Sequence, residues 1–163
     1  MGSEALRYIE SFRYNTRTHS RQEENMAETI RQVDHYSATI ANKVGEGARV
    51  LGALRDAGIN LIALWGYARA TGKATLEFIP ENGAAFASAA KAAKIKLSKK
   101  QIAFYVHGDD RPGAIADLCA RLAAAKVNIG AIQAVCAGAG RYGAVIFLPQ
   151  AAVGKAAKAL GAS

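Results

Sequence analysis

An internal repeat constrains this chain more than any other feature. Laying Asn60 over Asn128, an offset of 68 positions, puts Gly45 on Gly113, Ala48 on Ala116, Leu54 on Leu122, Ala57 on Ala125 and Ala63 on Ala131. After a slip of one residue in the following hairpin, Phe78-Ile79-Pro80 matches Phe147-Leu148-Pro149, and Lys91-Ala92-Ala93-Lys94 matches Lys155-Ala156-Ala157-Lys158. A duplicated unit restricts the fold to something that can be built twice from a short stretch and then paired with itself.

Both copies carry the same pattern. Tyr36, Ala38 and Ile40 alternate with polar residues as a half-buried strand does, and so do Ile102, Phe104 and Val106. Val50, Leu51 and Leu54 then recur at helical spacing, as do Ile115, Leu118, Cys119 and Leu122. Gly58 is placed to close the first of these helices in a left-handed cap. Two extended runs follow in each copy, 61–67 with 74–79 and 129–136 with 144–148, joined through Ala70-Thr71-Gly72-Lys73 and Gly138-Ala139-Gly140-Arg141. A second helix is expected over 84–94 and over 151–160.

The order strand, helix, strand, strand, helix lacks one strand of the ferredoxin-like βαββαβ unit. The second copy has no room for that strand after Leu160, whereas residues 27–33 precede the first copy's opening strand with Ile30 and Val33 as apolar contacts. Thr29 to Val33 is therefore predicted to complete the second unit and Lys96 to Lys100 the first, interlocking the halves. The predicted fold is α+β: two such modules, 26–97 and 98–163, with antiparallel sheets and helices on one face.

Composition narrows the class. Of 163 residues, 36 are Ala and 7% are aromatic, so the apolar half of the chain is made of small side chains that bury little area each, and thin cores follow. Residues 1–25, with four Arg, four Glu and no Lys, read as a dispensable extension, and Met26 as a natural start. No apolar run reaches the ~18 residues of a membrane span, and the N-terminus lacks the pattern of a signal peptide; a cytoplasmic protein is expected. Cys119 and Cys136 sit in apolar periodic segments without CxxC or Cys/His spacing, so they read as reduced packing residues. The net charge of +8 lies wholly in 26–163, with Lys91, Lys94, Lys96, Lys99 and Lys100 gathered at the junction of the halves.

The most informative segment is His107-Gly108-Asp109-Asp110-Arg111-Pro112-Gly113-Ala114, between a strand and the helix expected from about Pro112. Pro suits a first helical turn, and exposed N–H groups at the positive end of a helix suit a carboxylate or phosphate. The first copy has Asn42-Lys43-Val44-Gly45-Glu46-Gly47 there, and Asn60 and Asn128 each stand fifteen residues beyond their glycine. An Asn amide offers a donor and an acceptor for the ammonium and carboxylate of an amino acid, although Asn, Asp and Gly at such positions also serve as ordinary caps and turns.

At these residues the chain resembles the ACT-domain family of small-molecule regulatory modules, in an arrangement of two ACT modules over about 26–163. The resemblance rests on Asp110-Arg111-Pro112-Gly113-Ala114 followed by Val127-Asn128-Ile129, and on Asn42-Lys43-Val44-Gly45 followed by Gly58-Ile59-Asn60-Leu61. It implies a free amino acid bound between modules, where the strand–helix loop of one meets the second strand of another. The implied contacts are Asn42, Gly45 and Asn60 in copy one, and Asp110, Gly113 and Asn128 in copy two. Val44 departs from the family's usual Pro, and Asp110 would favour the ligand's ammonium over its carboxylate. No cofactor, metal site or catalytic residue is implied.

Two other readings stand beside this one. Arg141-Tyr142-Gly143-Ala144-Val145-Ile146-Phe147 superficially resembles the basic-aromatic strand of RNA-recognition modules, which share the βαββαβ order. An enzyme finds little footing: His107 beside Asp109 and Asp110 is the best acid–base candidate, and no phosphate loop or metal-ligand spacing is present. Finally, 144–148 is apolar on both faces, so a second sheet or another chain is expected to cover it, most simply in a homodimer.

Overall fold

The computed structural model describes residues 28–69 and 72–163; the extension 1–25 lies outside them. The chain runs β1 (Thr29–Ala41), α1 (Glu46–Asp56), β2 (Leu61–Arg69), β3 (Lys73–Pro80), α2 (Gly83–Ala92), β4 (Gln101–Asp109), α3 (Ala114–Ala124), β5 (Ala131–Gly138), β6 (Arg141–Phe147), a 3-10 turn (Gln150–Ala152) and α4 (Val153–Leu160). The six strands form one antiparallel sheet in the order β2-β3-β1-β4-β6-β5.

That order follows from the thirteen residues of β1. Its second half pairs with β3, from Tyr36↔Phe78 to Ala41↔Lys73. Its first half pairs with β4, from Thr29↔His107 to His35↔Gln101, so the strand missing from the second half of the chain comes from the N-terminal side and runs two residues past the predicted Val33. The reciprocal segment Lys96 to Lys100 is reduced from the predicted strand to a bridge between Ala38 and Leu97, with Ser98 N–H donating to Ser37 O at 2.8 Å. The ladder slips by one residue between that bridge and His35↔Gln101, which leaves 98–100 irregular. Two separate sheets were expected; sharing β1 fuses them into one.

Alternation sorts the side chains. Ile30, Tyr36 and Ala38 of β1 face the helices, and Val33 and His35 face away. Two helix-side cores result, one for each half. Val50 and Leu54 of α1 and Phe86 and Ala90 of α2 close over Tyr36 and Phe78. Leu118 and Leu122 of α3 and Ala156 and Leu160 of α4 close over Phe104, Val106 and Ile146. Each helix contributes a stripe of residues four apart, the spacing that puts them on one face.

The four helices end alike. Gly58, Lys94, Lys126 and Gly161 have φ of 70°, 55°, 53° and 64°. The next residue's N–H returns to the last turn: Ile59 to Leu54 O, Ile95 to Ala90 O, Val127 to Leu122 O and Ala162 to Ala157 O, at 2.8–3.0 Å. This is the Schellman arrangement, in which an apolar residue after the left-handed one drops back onto the core. At the N-terminal end of α2, Asn82 accepts from Ala85 N–H at 3.0 Å. α3 begins at Ala114 with Gly113 as its cap, two residues later than Pro112 suggested.

The face away from the helices corrects the expected need for a partner. Val145 is 4% exposed there, covered by Val33, Ile79 and Ala103 with Trp65 and Phe147 beside them. Trp65 on edge strand β2 lies 5.0 Å ring to ring from Phe147 on β6, across three intervening strands, so the sheet curls and covers its own centre. His35 sits between them, stacked on Trp65 at 6.1 Å and edge-on to Phe147 at 4.8 Å, with Nε2 2.8 Å from Glu77 Oε2.

Residues at the start of β1 are tied to the second half of the chain. Ser163 N–H donates to Ile30 O at 3.3 Å and Gln32 N–H to Ser163 O at 3.1 Å. Tyr142 Oη donates to Glu28 at 2.7 Å, and Arg121 pairs with Glu28 at 2.9 Å while its guanidinium also reaches Leu160 O. Burial, then the hydrogen bond to Glu28, pushes the Tyr142 hydroxyl well above its ordinary 10.0. Because the folded state disfavours the phenolate, this stability is present below pH 10 and is lost as the pH rises further. Urea unfolding of Tyr142→Phe is expected to show a loss of about 1 kcal/mol at pH 8, shrinking toward zero by about pH 11 as the wild type alone loses the Tyr142 contribution. A fragment 98–163 should not fold alone, since β4 loses the strand beside it; circular dichroism should show structure recovered when residues 1–97 are added.

Candidate functional site

The two strand–helix loops are built alike. Asn42 N–H donates to Gly72 O at 3.0 Å, and Asp110 N–H donates to Gly140 O at 2.7 Å, so each loop is pinned to the tip of its own half's hairpin. Gly45 and Gly113 then cap α1 and α3 at φ of 89° and 84°, a left-handed conformation that lets the backbone turn sharply into the helix. Neither cap makes a side-chain hydrogen bond, so Asp110 is not a helix cap. A Cβ at either glycine would meet nothing within 4 Å. The expected cost of Gly45→Ala or Gly113→Ala is therefore conformational alone, about 1–2 kcal/mol each in urea unfolding.

The copies differ in what surrounds the loop. In the second, Asp110 and Gly113 line a pocket of about 360 Å³ with Arg111, Ile115, Cys136 and Tyr142. Cys136 is exposed rather than packed as the sequence suggested, and its thiol donates to Asp110 Oδ2 at 3.0 Å. Arg111 is paired with Asp117. His107 and Asp109, the acid–base candidates, are both tied to Arg141. In the first copy Val44 stands fully exposed, and a smaller pocket of about 240 Å³ borders the loop through Ala41, Glu46 and Arg49. The sequence pattern does not place Cys136 and Tyr142 beside this loop, because periodicity does not set register; the pairing Cys136↔Tyr142, one step from the hairpin tip at Gly138, is what brings the thiol there.

The asparagines lie elsewhere. Asn42 follows Ala41, which pairs with Lys73 opposite Arg69 at the end of β2, whereas Asn60 precedes Leu61 at the start of β2. Nine residues of strand separate them, on the order of 25 Å. Asp110 and Asn128 are parted by β5 in the same way. Pairing across the halves does not help. The registers place the starts of β2 and β5 at mid-sheet, near Asp34 and Ile102, and the loops at opposite ends. Asn60 Nδ2 donates to Glu81 at 3.1 Å. Asn128 is exposed, and Gln150, in the place of Glu81, instead bonds the Ile102 backbone at 2.7 and 2.9 Å. One copy of the chain therefore brings Asp110 and Gly113 together, and Asn42 near Gly45, but joins neither loop to an asparagine turn.

No family model and no curated protein matches the chain. Solved structures do. Protein BT0572 from Bacteroides thetaiotaomicron is similar over 81% of this chain and 88% of its own, with TM-score 0.71 and 21% identity. The ligand-free regulatory subunit of aspartate kinase from Thermus thermophilus is similar over 82% and 94%, with TM-score 0.57 and 17% identity. A putative C-terminal regulatory domain of aspartate kinase from Porphyromonas gingivalis is similar over 82% and 94%, with TM-score 0.51 and 11% identity. At these identities the likeness is one of fold, and it supports an ACT-like α+β architecture. No helix among the described residues is long and apolar enough to cross a membrane.

Proposed function

We propose that this chain is a non-catalytic regulatory or sensor protein of two ACT modules, 26–97 and 98–163, that binds a free amino acid between modules of two copies. The observation that carries the reading is the doubled loop. Two segments 68 positions apart keep the same backbone tether and the same left-handed glycine before a helix, while their sequences differ at every contact-bearing side chain. A shared geometry with divergent side chains suits a recognition element tuned separately in each half. The fold's likeness to regulatory parts of aspartate kinase supports the class.

Separation of loop and asparagine turn within one chain supports a homodimer, because a second copy would supply the missing half of each site. Asn42, Gly45 and Asn60 are assigned to one class of site and Asp110, Gly113 and Asn128 to the other, the second being the more selective for an ammonium group beside Asp110. Nucleic acid is not assigned as a partner. The aromatic of β6 that faces away from the helices, Phe147, packs on His35 and Trp65 of its own chain, so it is not free to stack on a base.

Thermal-shift screening of the standard amino acids tests the reading. One or a few are expected to raise Tm, by about 2.7 kcal/mol of added stability at a hundredfold excess over Kd, and to increase the dimer fraction in sedimentation velocity. Asn42→Ala or Asn60→Ala should remove the shift of a first-copy ligand. A screen with no shift, or a shift unaltered by both substitutions and by Asp110→Ala, overturns it.

A further inference from the structure

The curl of the sheet leaves an open groove on the face away from the helices, about 780 Å³ in volume, between β2 and the β5–β6 hairpin. This is the size of a site for a small organic molecule. Its walls are apolar: Ile62 and Trp65 on one side and Val135 on the other. Val135 forms one lip and is 67% exposed, an apolar side chain that the chain itself leaves uncovered. The floor is open at Gly143. A Cβ there would touch only Val106 O at 3.9 Å and Tyr105 Oη at 4.0 Å, so the missing side chain leaves depth rather than relieving a clash.

One end of the groove is polar and fixed. Arg141 Nη2 donates to His107 Nδ1 at 3.0 Å, and the same guanidinium is held by Asp109. Arginine has no acceptor, so in this contact His107 Nδ1 takes the bond and Nε2 is left to donate. Arg31 lies over the Tyr105 ring, 5.2 Å from its centre, and brings a second cation to this end. Against these two cations stands Asp109, already paired.

We propose that this groove binds a small monocarboxylate with an apolar or aromatic body, its head against Arg141 and His107 and its body between Trp65 and Val135. With Asp109 engaged by Arg141, the groove offers no carboxylate for an ammonium group, so a plain carboxylate is preferred over the amino acid of the same shape. The site uses none of Asn42, Gly45, Asn60, Asp110, Gly113 and Asn128, although Ala134, Val135 and Tyr142 also border the pocket beside Asp110, and it stands whether or not those six residues bind a ligand.

Trp65 is the chain's one tryptophan and lines the groove, so its fluorescence reports occupancy. Titration of the full-length protein with 3-phenylpropionate is expected to change Trp65 emission saturably, and L-phenylalanine to act more weakly. Arg141→Gln should weaken 3-phenylpropionate about tenfold or more, the loss of one charge-assisted contact. Gly143→Val, which fills the floor, should abolish the response. So should Val135→Glu, whose exposed position leaves the cores untouched and whose charge repels the probe. The proposal is overturned if emission does not saturate, if 3-phenylpropanol binds as tightly as the acid, or if Val135→Glu binds like the wild type. Emission that depends on protein concentration without any probe overturns it too, since a second copy of the chain would then fill the groove.

Discussion

Everything in this structure depends on β1 serving two masters. Seven of its residues pair with β4 and six with β3, so this strand carries the ladder that joins the two halves. Neither half has enough aliphatic bulk to be generous with stability: the helix-side cores rest on a few Phe, Leu and Ile residues filled out with Ala. Pairing the halves through a common strand removes two sheet edges that would otherwise be exposed to water and to other chains. It also creates a third core, around Val33, Ile79, Ala103 and Val145, that exists only because the two sheets are one.

The repeat made much of this visible in advance. Strand, helix, strand, strand, helix was readable twice because apolar residues recur at period two and at helical spacing in the same order, and the missing strand followed from counting. Three features were not readable, each for a physical reason. The weakness of 96–100 as a strand comes from a one-residue slip in pairing, which depends on the neighbour and not on the segment's own pattern. The curl that buries Val145 depends on Trp65 meeting Phe147 across the sheet, a contact between residues 82 positions apart that no local periodicity encodes. The exposure of Cys136 depends on hairpin register.

The candidate site shows the same division. Gly45 and Gly113 stand out in the sequence because the repeat aligns them; that each is a left-handed cap is seen only in the backbone. What Asn60 and Asn128 do was not legible, because their role depends on distance along β2 and β5 and on whether Glu81 or Gln150 reaches them. Arg141, His107 and Gly143 drew attention only as parts of a hairpin and a loop, since the groove they share is made by curvature.

The pairing of β1 with β4, and of Ser163 with β1, joins segments far apart in sequence and so bears on the order of assembly. Ile30 and Gln32 lie near the start of the described residues, and their partner, Ser163, is more than 130 positions further on. The first half can gather its own helices and hairpin during synthesis, but the β4 side of β1 stays unpaired until the second half has been made. Completion is thus dominated by contacts of long sequence separation, which close slowly. During that interval the unpaired edge of β1 is the part of the molecule most open to pairing with the wrong chain, including the β4 of another copy.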